Sequence, residues 1–151
     1  MTVIVILCFC ITSGAAAEAG NDMTVVTGRV TENEWRVTVD PSPWEYTQGR
    51  EAALLLRIEA EGACRITEIL PGDGAEGITL TVSAEDGRGL NLLLDGVFSD
   101  QGDILRIRTE GEGGVRVSPG ERGGPFLYCM TEEGSIMTCP LVFENPGVFQ
   151  E

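Results

Sequence analysis

The chain predicts an all-β fold, an antiparallel β-sandwich of the Ig-like or jelly-roll type with about nine to ten strands. Three observations carry that prediction. The stretch 50–109 holds five short apolar segments in a row, each bounded by Gly, Asp or Pro. Three of the five alternate apolar and polar residues almost without error, which is the period of a strand with one wet face. No convincing helical period occurs between Met23 and Thr109. An incomplete barrel is the second architecture compatible with this pattern.

Taken in order, the chain opens on a targeting signal. Val3 to Ile11 is apolar, Thr12 to Gly14 is small and polar, and Ala15-Ala16-Ala17 before Glu18 is the small-x-small pattern a signal peptidase accepts. Residues 1–17 are therefore expected to be a cleaved secretory signal, and 18–151 one β-sandwich domain ending in a hairpin. The apolar run is shorter than the ~20 residues of a membrane span. No span is expected after cleavage, and the mature chain is expected to be secreted or associated with the cell envelope. No Lys or Arg precedes the apolar core, so the amino terminus alone supplies the positive charge there. Cys8 and Cys10 lack a small residue immediately before them, which argues against a lipoprotein.

Met23 to Val30 and Trp35 to Val39 read as an opening hairpin, with Trp35, Val37 and Val39 on one face. Asp40 to Gly49 breaks the pattern, because two prolines at one-residue spacing cannot both serve a central ladder. An edge or a crossover between sheets is expected there. Trp44 and Tyr46 in this segment either lid one end of the core or form an exposed aromatic platform for a sugar or peptide. The central strands follow. Ala52, Leu54, Leu56, Ile58 and Ala60 share one face; so do Ile78, Leu80 and Val82, and then Leu90, Leu92 and Leu94. Cys64 to Leu70 and Ile104 to Thr109 complete the block, with Arg65, Thr67, Arg106 and Arg108 facing out. Gly and Asp stand in the turns between, where positive φ or an Asx turn is wanted.

Val115 to Ser118 is a short strand, and Ser118 to Pro125 a Gly-rich loop without the Gly-Lys-Ser/Thr ending of a phosphate-binding loop. Phe126 to Thr131 and Ile136 to Phe143 form a late hairpin. If its loop is Glu133-Gly134-Ser135, Cys129 falls opposite Cys139, and a secreted setting makes that pair the expected disulfide.

Composition excludes several chemistries. The net charge of −14 repels phosphate backbones and anionic membranes, so neither nucleic acid nor a membrane surface is an expected partner. All ten basic residues are Arg. Without His there is no Ser-His-Asp or Cys-His catalysis and no imidazole zinc site. Without Lys there is no Schiff-base chemistry and no Lys-Asn cross-link.

Ala52 to Ile58, Ile66-Thr67-Glu68-Ile69-Leu70-Pro71-Gly72-Asp73, Gly89-Leu90-Asn91-Leu92-Leu93-Leu94-Asp95 and Gly102-Asp103-Ile104-Leu105-Arg106-Ile107 follow one another as in cohesin-like, dockerin-binding domains, which this central half resembles. Shared features are the Pro-Gly turn after an Ile-rich strand and a Gly-led apolar strand. The Tyr-Asp-Pro segment common in those domains is replaced here by Glu59-Ala60-Glu61-Gly62. The resemblance implies a nine-stranded jelly-roll sandwich and assigns no binding residue.

No cofactor is expected, with calcium as the one candidate. Asp73, Asp86, Asp100 and Asp103 lie in turns where oxygen ligands could converge, although none has the spacing of an EF-hand. The leading expectation is a non-catalytic, secreted interaction module whose partner is a protein or a glycan at the cell surface. Its alternatives are a small hydrolase using paired carboxylates, which requires a cleft with one desolvated carboxyl group, and a structural subunit of an envelope assembly.

Overall fold

The computed structural model describes residues 22–86, 88–120 and 122–145. The expected signal at 1–17, with Cys8 and Cys10, lies outside the described residues. Ten strands follow: β1 (Met23–Thr31), β2 (Glu34–Asp40), β3 (Glu51–Gly62), β4 (Arg65–Pro71), β5 (Gly77–Glu85), β6 (Gly89–Val97), β7 (Asp103–Glu110), β8 (Gly113–Pro119), β9 (Phe126–Met130) and β10 (Ile136–Glu144). The strand order is β4-β7-β2-β1-β10-β9-β3-β6-β5, with β8 beside β3. This is the all-β, sandwich-like fold that the alternating segments predict.

Two layers are joined through β10. Its first half, Ile136 to Pro140, pairs antiparallel with β9, and from Leu141 onward it pairs in parallel with β1. Pro140, which has no N–H to give, stands at the changeover. The longest strand, β3, organises the second layer. It pairs with β6 from Glu51 to Glu59 on one side. On the other side it meets β9 at Ala52 to Leu54 and then β8 from Leu56 to Gly62.

Alternation decides what is buried. Leu54, Leu56 and Ile58 of β3, Leu92 and Leu94 of β6, and Val115 and Val117 of β8 face Trp35, Val37, Ile104 and Ile107 of the other layer in one core. Each fully buried side chain of this size contributes about 1.5–3 kcal/mol relative to exposure. Val82 departs from the pattern. Ile78 and Leu80 are half-buried, but Val82 is 51% exposed. It lies on the terminal strand, beside a register shift between Val82 and Ala84.

Two expectations are corrected. The segment 40–49 does cross between the layers, but through a helix, α1 (Pro43–Thr47), with Pro43 in its first turn and Gln48 closing it at φ 52°. The Cys129–Cys139 disulfide is not formed, and both side chains are thiols. Thr131 N–H donates to the Ser135 carbonyl at 2.8 Å, so the loop is Glu132-Glu133-Gly134 rather than Glu133-Gly134-Ser135. Moving the loop by one residue moves every partner by two, which sets Cys129 opposite Met137 and Cys139 opposite Leu127.

Candidate binding surface

The two outer faces of the sandwich differ in what they leave unsatisfied. On β2, β4 and β7, register places Arg36 opposite Arg106, and both Glu34 and Glu68 opposite Arg108. Like charges side by side repel, and acids offset the repulsion here. One Asp103 oxygen lies 3.6 Å from Arg36 Nε and 3.5 Å from Arg106 Nε. Asp73 sits 3.5 Å from Arg106 Nη2, and Glu68 3.3 Å from Arg108 Nη1. This face is a largely self-neutralised ion-pair network.

The opposite outer face is built on β5, β6, β3 and β8. Cross-strand register aligns Leu55, Leu93 and Thr81 in one row and Ala53, Asp95 and Thr79 in the next. Leu55, Leu93 and Ala53 are half-buried, while Thr79, Thr81 and Asp95 are exposed. Thr and Ser suit a strand whose wet side must remain pleated and polar. Ser83 Oγ donates to the Asn91 carbonyl at 3.4 Å, within the β5 register shift.

One end of this face is closed by the chain itself. Gly120 N–H donates to the Leu55 carbonyl at 3.0 Å. A Cβ on Gly123 would stand 2.6 Å from Leu55 Cδ1, so the loop can lie on Leu55 only because glycine is there. Tyr128 Oη donates to the Gly123 carbonyl and holds the loop down. The Gly-rich segment is thus a cover over Leu55, which leaves Leu93 as the apolar centre of the open part.

The other end is fixed by charge. Arg57, whose side chain is 13% exposed, lies 2.8 Å from Asp86 and 3.3 Å from Glu59. Asp86 also accepts from the backbone N–H groups of Arg88 at 2.9 Å and Gly89 at 3.0 Å, an Asx turn. The Arg88 N–H, then Arg57, then the Gly89 N–H hold the Asp86 carboxyl at a pKa of about 2. The same pair raises the Arg57 pKa above its ordinary value, the Asp86 hydrogen bond being the largest cause.

The residues singled out in the sequence are only partly brought together. Asp73 and Asp103 meet around Arg106. Asp100 lies in the exposed turn before β7, where Gln101 Nε2 donates to it at 3.4 Å. Asp86 stands at the far end of β5, a nine-residue strand roughly 30 Å long. Among the described residues, no three His, Cys, Asp or Glu side chains are grouped as metal ligands. Trp44 and Tyr46 are both half-buried. On a helix, two positions apart means roughly 200° of rotation, so they do not form one platform. Tyr46 Oη donates to the Thr138 carbonyl at 2.7 Å and its ring packs on the core.

A cleft of about 770 Å³ opens where the β1–β2, β3–β4 and β7–β8 turns meet, lined by Arg29, Glu32, Glu61, Glu112 and glycines. Arg29 lies over the Trp35 ring at 5.0 Å and donates to the Gly113 carbonyl at 2.8 Å. All three glutamates are exposed, so none is the desolvated acid that carboxylate-pair hydrolysis requires. Sequence reasoning missed this cleft and the cover over Leu55. The row of Thr79 and Thr81 was visible in it as the wet side of a strand.

No protein-family model matches the sequence, and comparison with curated proteins finds no match. Solved structures do. A non-cellulosomal cohesin from the archaeon Archaeoglobus fulgidus aligns over 82% of this chain and 91% of its own, with TM-score 0.53 and 9% identity. The type I cohesin–dockerin complex Coh-OlpC-Doc435 from Clostridium thermocellum holds a chain that aligns over 82% of this one and 89% of its own, with TM-score 0.50 and 12% identity. At such identities the likeness is one of architecture, and the chain has the fold of cohesin modules.

Proposed function

We propose that this chain is a secreted or envelope-associated, non-catalytic module that binds a protein partner through the open outer face of β5, β6 and β3. One observation carries the reading: Leu93 and Ala53 lie half-buried among exposed Thr79, Thr81 and Asp95, while the opposite face is occupied by its own ion pairs. An apolar centre with a polar rim is the anatomy of a protein interface. The fold likeness adds support, since one of the similar structures is a cohesin–dockerin complex. A glycan reading draws less support, because Tyr46 is committed to the Thr138 carbonyl. The signal-like residues 1–17 support an extracytoplasmic setting.

Isothermal titration of the chain against a panel of dockerin domains, beside a glycan array, tests the proposal. The expected result is a protein ligand whose affinity falls at least tenfold with Leu93→Asp and is unchanged by Arg108→Glu on the opposite face. Binding indifferent to Leu93→Asp, glycan binding alone, or turnover of chromogenic glycosides would overturn it.

A further inference from the structure

The geometry points to the free edge of β5 as a strand-addition site for an extended segment of another protein, one that alternates apolar and polar residues and carries basic residues at both ends. This rests on the protein-binding reading above and names how the partner would be held.

β4 and β5 are the two ends of the strand order, so each offers an outer row of backbone N–H and C=O groups without a ladder partner among the described residues. The two edges are guarded differently. β4 carries Arg65, Glu68 and Pro71, and its register slips between Ile66 and Glu68. Charge and proline are devices that blunt an edge, and of the three features β5 shares only the register slip, between Val82 and Ala84 near its end. β5 has neither charge nor proline from Gly77 to Ala84, and its Ile78, Thr79, Thr81 and Val82 are β-branched residues that favour strands. A strand added there would extend the Leu55-Leu93-Thr81 row on the outer face. On the inner side it would cover Val82, the most exposed of the large apolar residues described. Backbone bonds would supply affinity and the alternating side chains selectivity.

Charge selects the occupant. Glu76 precedes the strand, Glu85 ends it, and Asp95 stands opposite Thr79 on β6. All three are exposed, and none forms an ion pair among the described residues. A second copy of this chain is excluded by these acids. Antiparallel pairing of β5 with its twin about Thr81 sets Glu76 against Asp86, next to Glu85, at both ends, in-register parallel pairing sets each acid against itself, and each copy carries −14. Like charges directly opposite destabilise a strand pair. A basic-ended strand finds carboxylates in the same places, so the arrangement rejects self-pairing while admitting a cationic partner.

Amide hydrogen exchange of the full chain, read by NMR, tests this with a synthetic peptide of alternating valine and threonine with arginine at both ends. Alternate amides between Gly77 and Ala84 are expected to slow at least tenfold at millimolar peptide, and a glutamate-ended version is expected to leave them unchanged. Glu76→Lys with Glu85→Lys is expected to reverse that preference by roughly tenfold, shrinking as salt is raised. An unaltered exchange pattern in β3 shows that the variant is folded. No slowing, slowing indifferent to peptide charge, or self-association through β5 overturns the inference. A ligand whose binding depends on Leu93 but leaves the β5 amides unprotected sustains the protein-binding reading and still overturns this one.

Discussion

Gly113→Ala and Gly134→Ala form a pair that separates backbone strain from steric clash. Both glycines have positive φ, +144° at Gly113 and +89° at Gly134. A Cβ at Gly134, in the exposed β9–β10 loop, meets nothing within 4 Å. Alanine there costs only the unfavourable left-handed conformation, about 1–2 kcal/mol. The stiffer unfolded chain returns about 0.4–1 kcal/mol of that, so a net loss near 1 kcal/mol is expected. At Gly113 the strain alone is of order 1–3 kcal/mol. In addition, the new Cβ would lie closer to the Glu61 carbonyl oxygen than the 3.0 Å that real Cβ atoms respect, and 2.9 Å from Cys64 Cβ. The β3–β8 ladder must then open at the Gly62–Gly113 pair, and each hydrogen bond lost adds about 1 kcal/mol. The expected total is about 3–5 kcal/mol, a large share of the roughly 5–15 kcal/mol that holds a domain folded. Urea unfolding followed by tryptophan fluorescence reads it. Trp35 is a suitable reporter, since its ring edge lies 3.6 Å from a Cβ placed on Gly114. With an unchanged slope of about 1–3 kcal/mol per molar urea, the midpoint should fall by roughly 2 M for Gly113→Ala and by well under 1 M for Gly134→Ala. A loss at Gly113 no larger than at Gly134 would refute the close β3–β8 approach. It would also reopen the glycine-lined cleft as something other than the junction of three turns.

Two further outcomes follow from the ionisable groups. The folded pKa of Asp86, about 2, lies below its ordinary 3.8. Its contribution is therefore complete above roughly pH 4 and disappears as pH falls through about 2. Asp86→Asn should flatten the melting temperature across that window, and an identical acid limb in wild type and variant would count against the Asx turn. Burial is the leading cause that pushes the Cys129 thiol above its ordinary pKa, while Cys64 is half-buried. Maleimide labelling mapped by mass spectrometry near pH 8 should modify Cys64 at least tenfold faster than Cys129. Equal rates would show that the β9–β10 face is not closed.

Much of the fold was legible because strand alternation is a two-state signal. Leu54, Leu56 and Ile58 occupy every second position, and every second position from Ala52 to Ala60 is buried. The helix α1 was not legible, since five residues are too few to show a helical period against two prolines. The cysteine pairing failed for a sharper reason. Nothing in Thr131 to Ser135 marks which three residues turn; the Thr131–Ser135 hydrogen bond decides it, and Ser135 N–H donating to Thr131 Oγ1 at 3.0 Å reinforces it. A one-residue ambiguity in the loop became a two-residue error across the hairpin.

The binding surface was harder still, because alternation says which residues share a face and not what covers that face. Leu55 and Leu93 are both leucines on outward positions of neighbouring strands, paired in register. Only the path of a distant glycine loop separates them. Gly120 and Gly123 lie over Leu55, held by Tyr128, and leave Leu93 open. Those glycines carry no periodic signal, and their role depends on contact with a strand more than sixty residues earlier in the chain. The acids divide in the same way. Asp73 and Asp103 converge on Arg106, whereas Asp95 and Glu85 form no ion pair with arginine among the described residues. In a chain with 24 acids and ten arginines, some carboxylates must go without a basic partner even where one arginine serves two. What the sequence conceals is where the arginines are spent. They neutralise the β2-β7-β4 face and the Asp86 turn, and they leave the β5 edge acidic at its ends and neutral along its length.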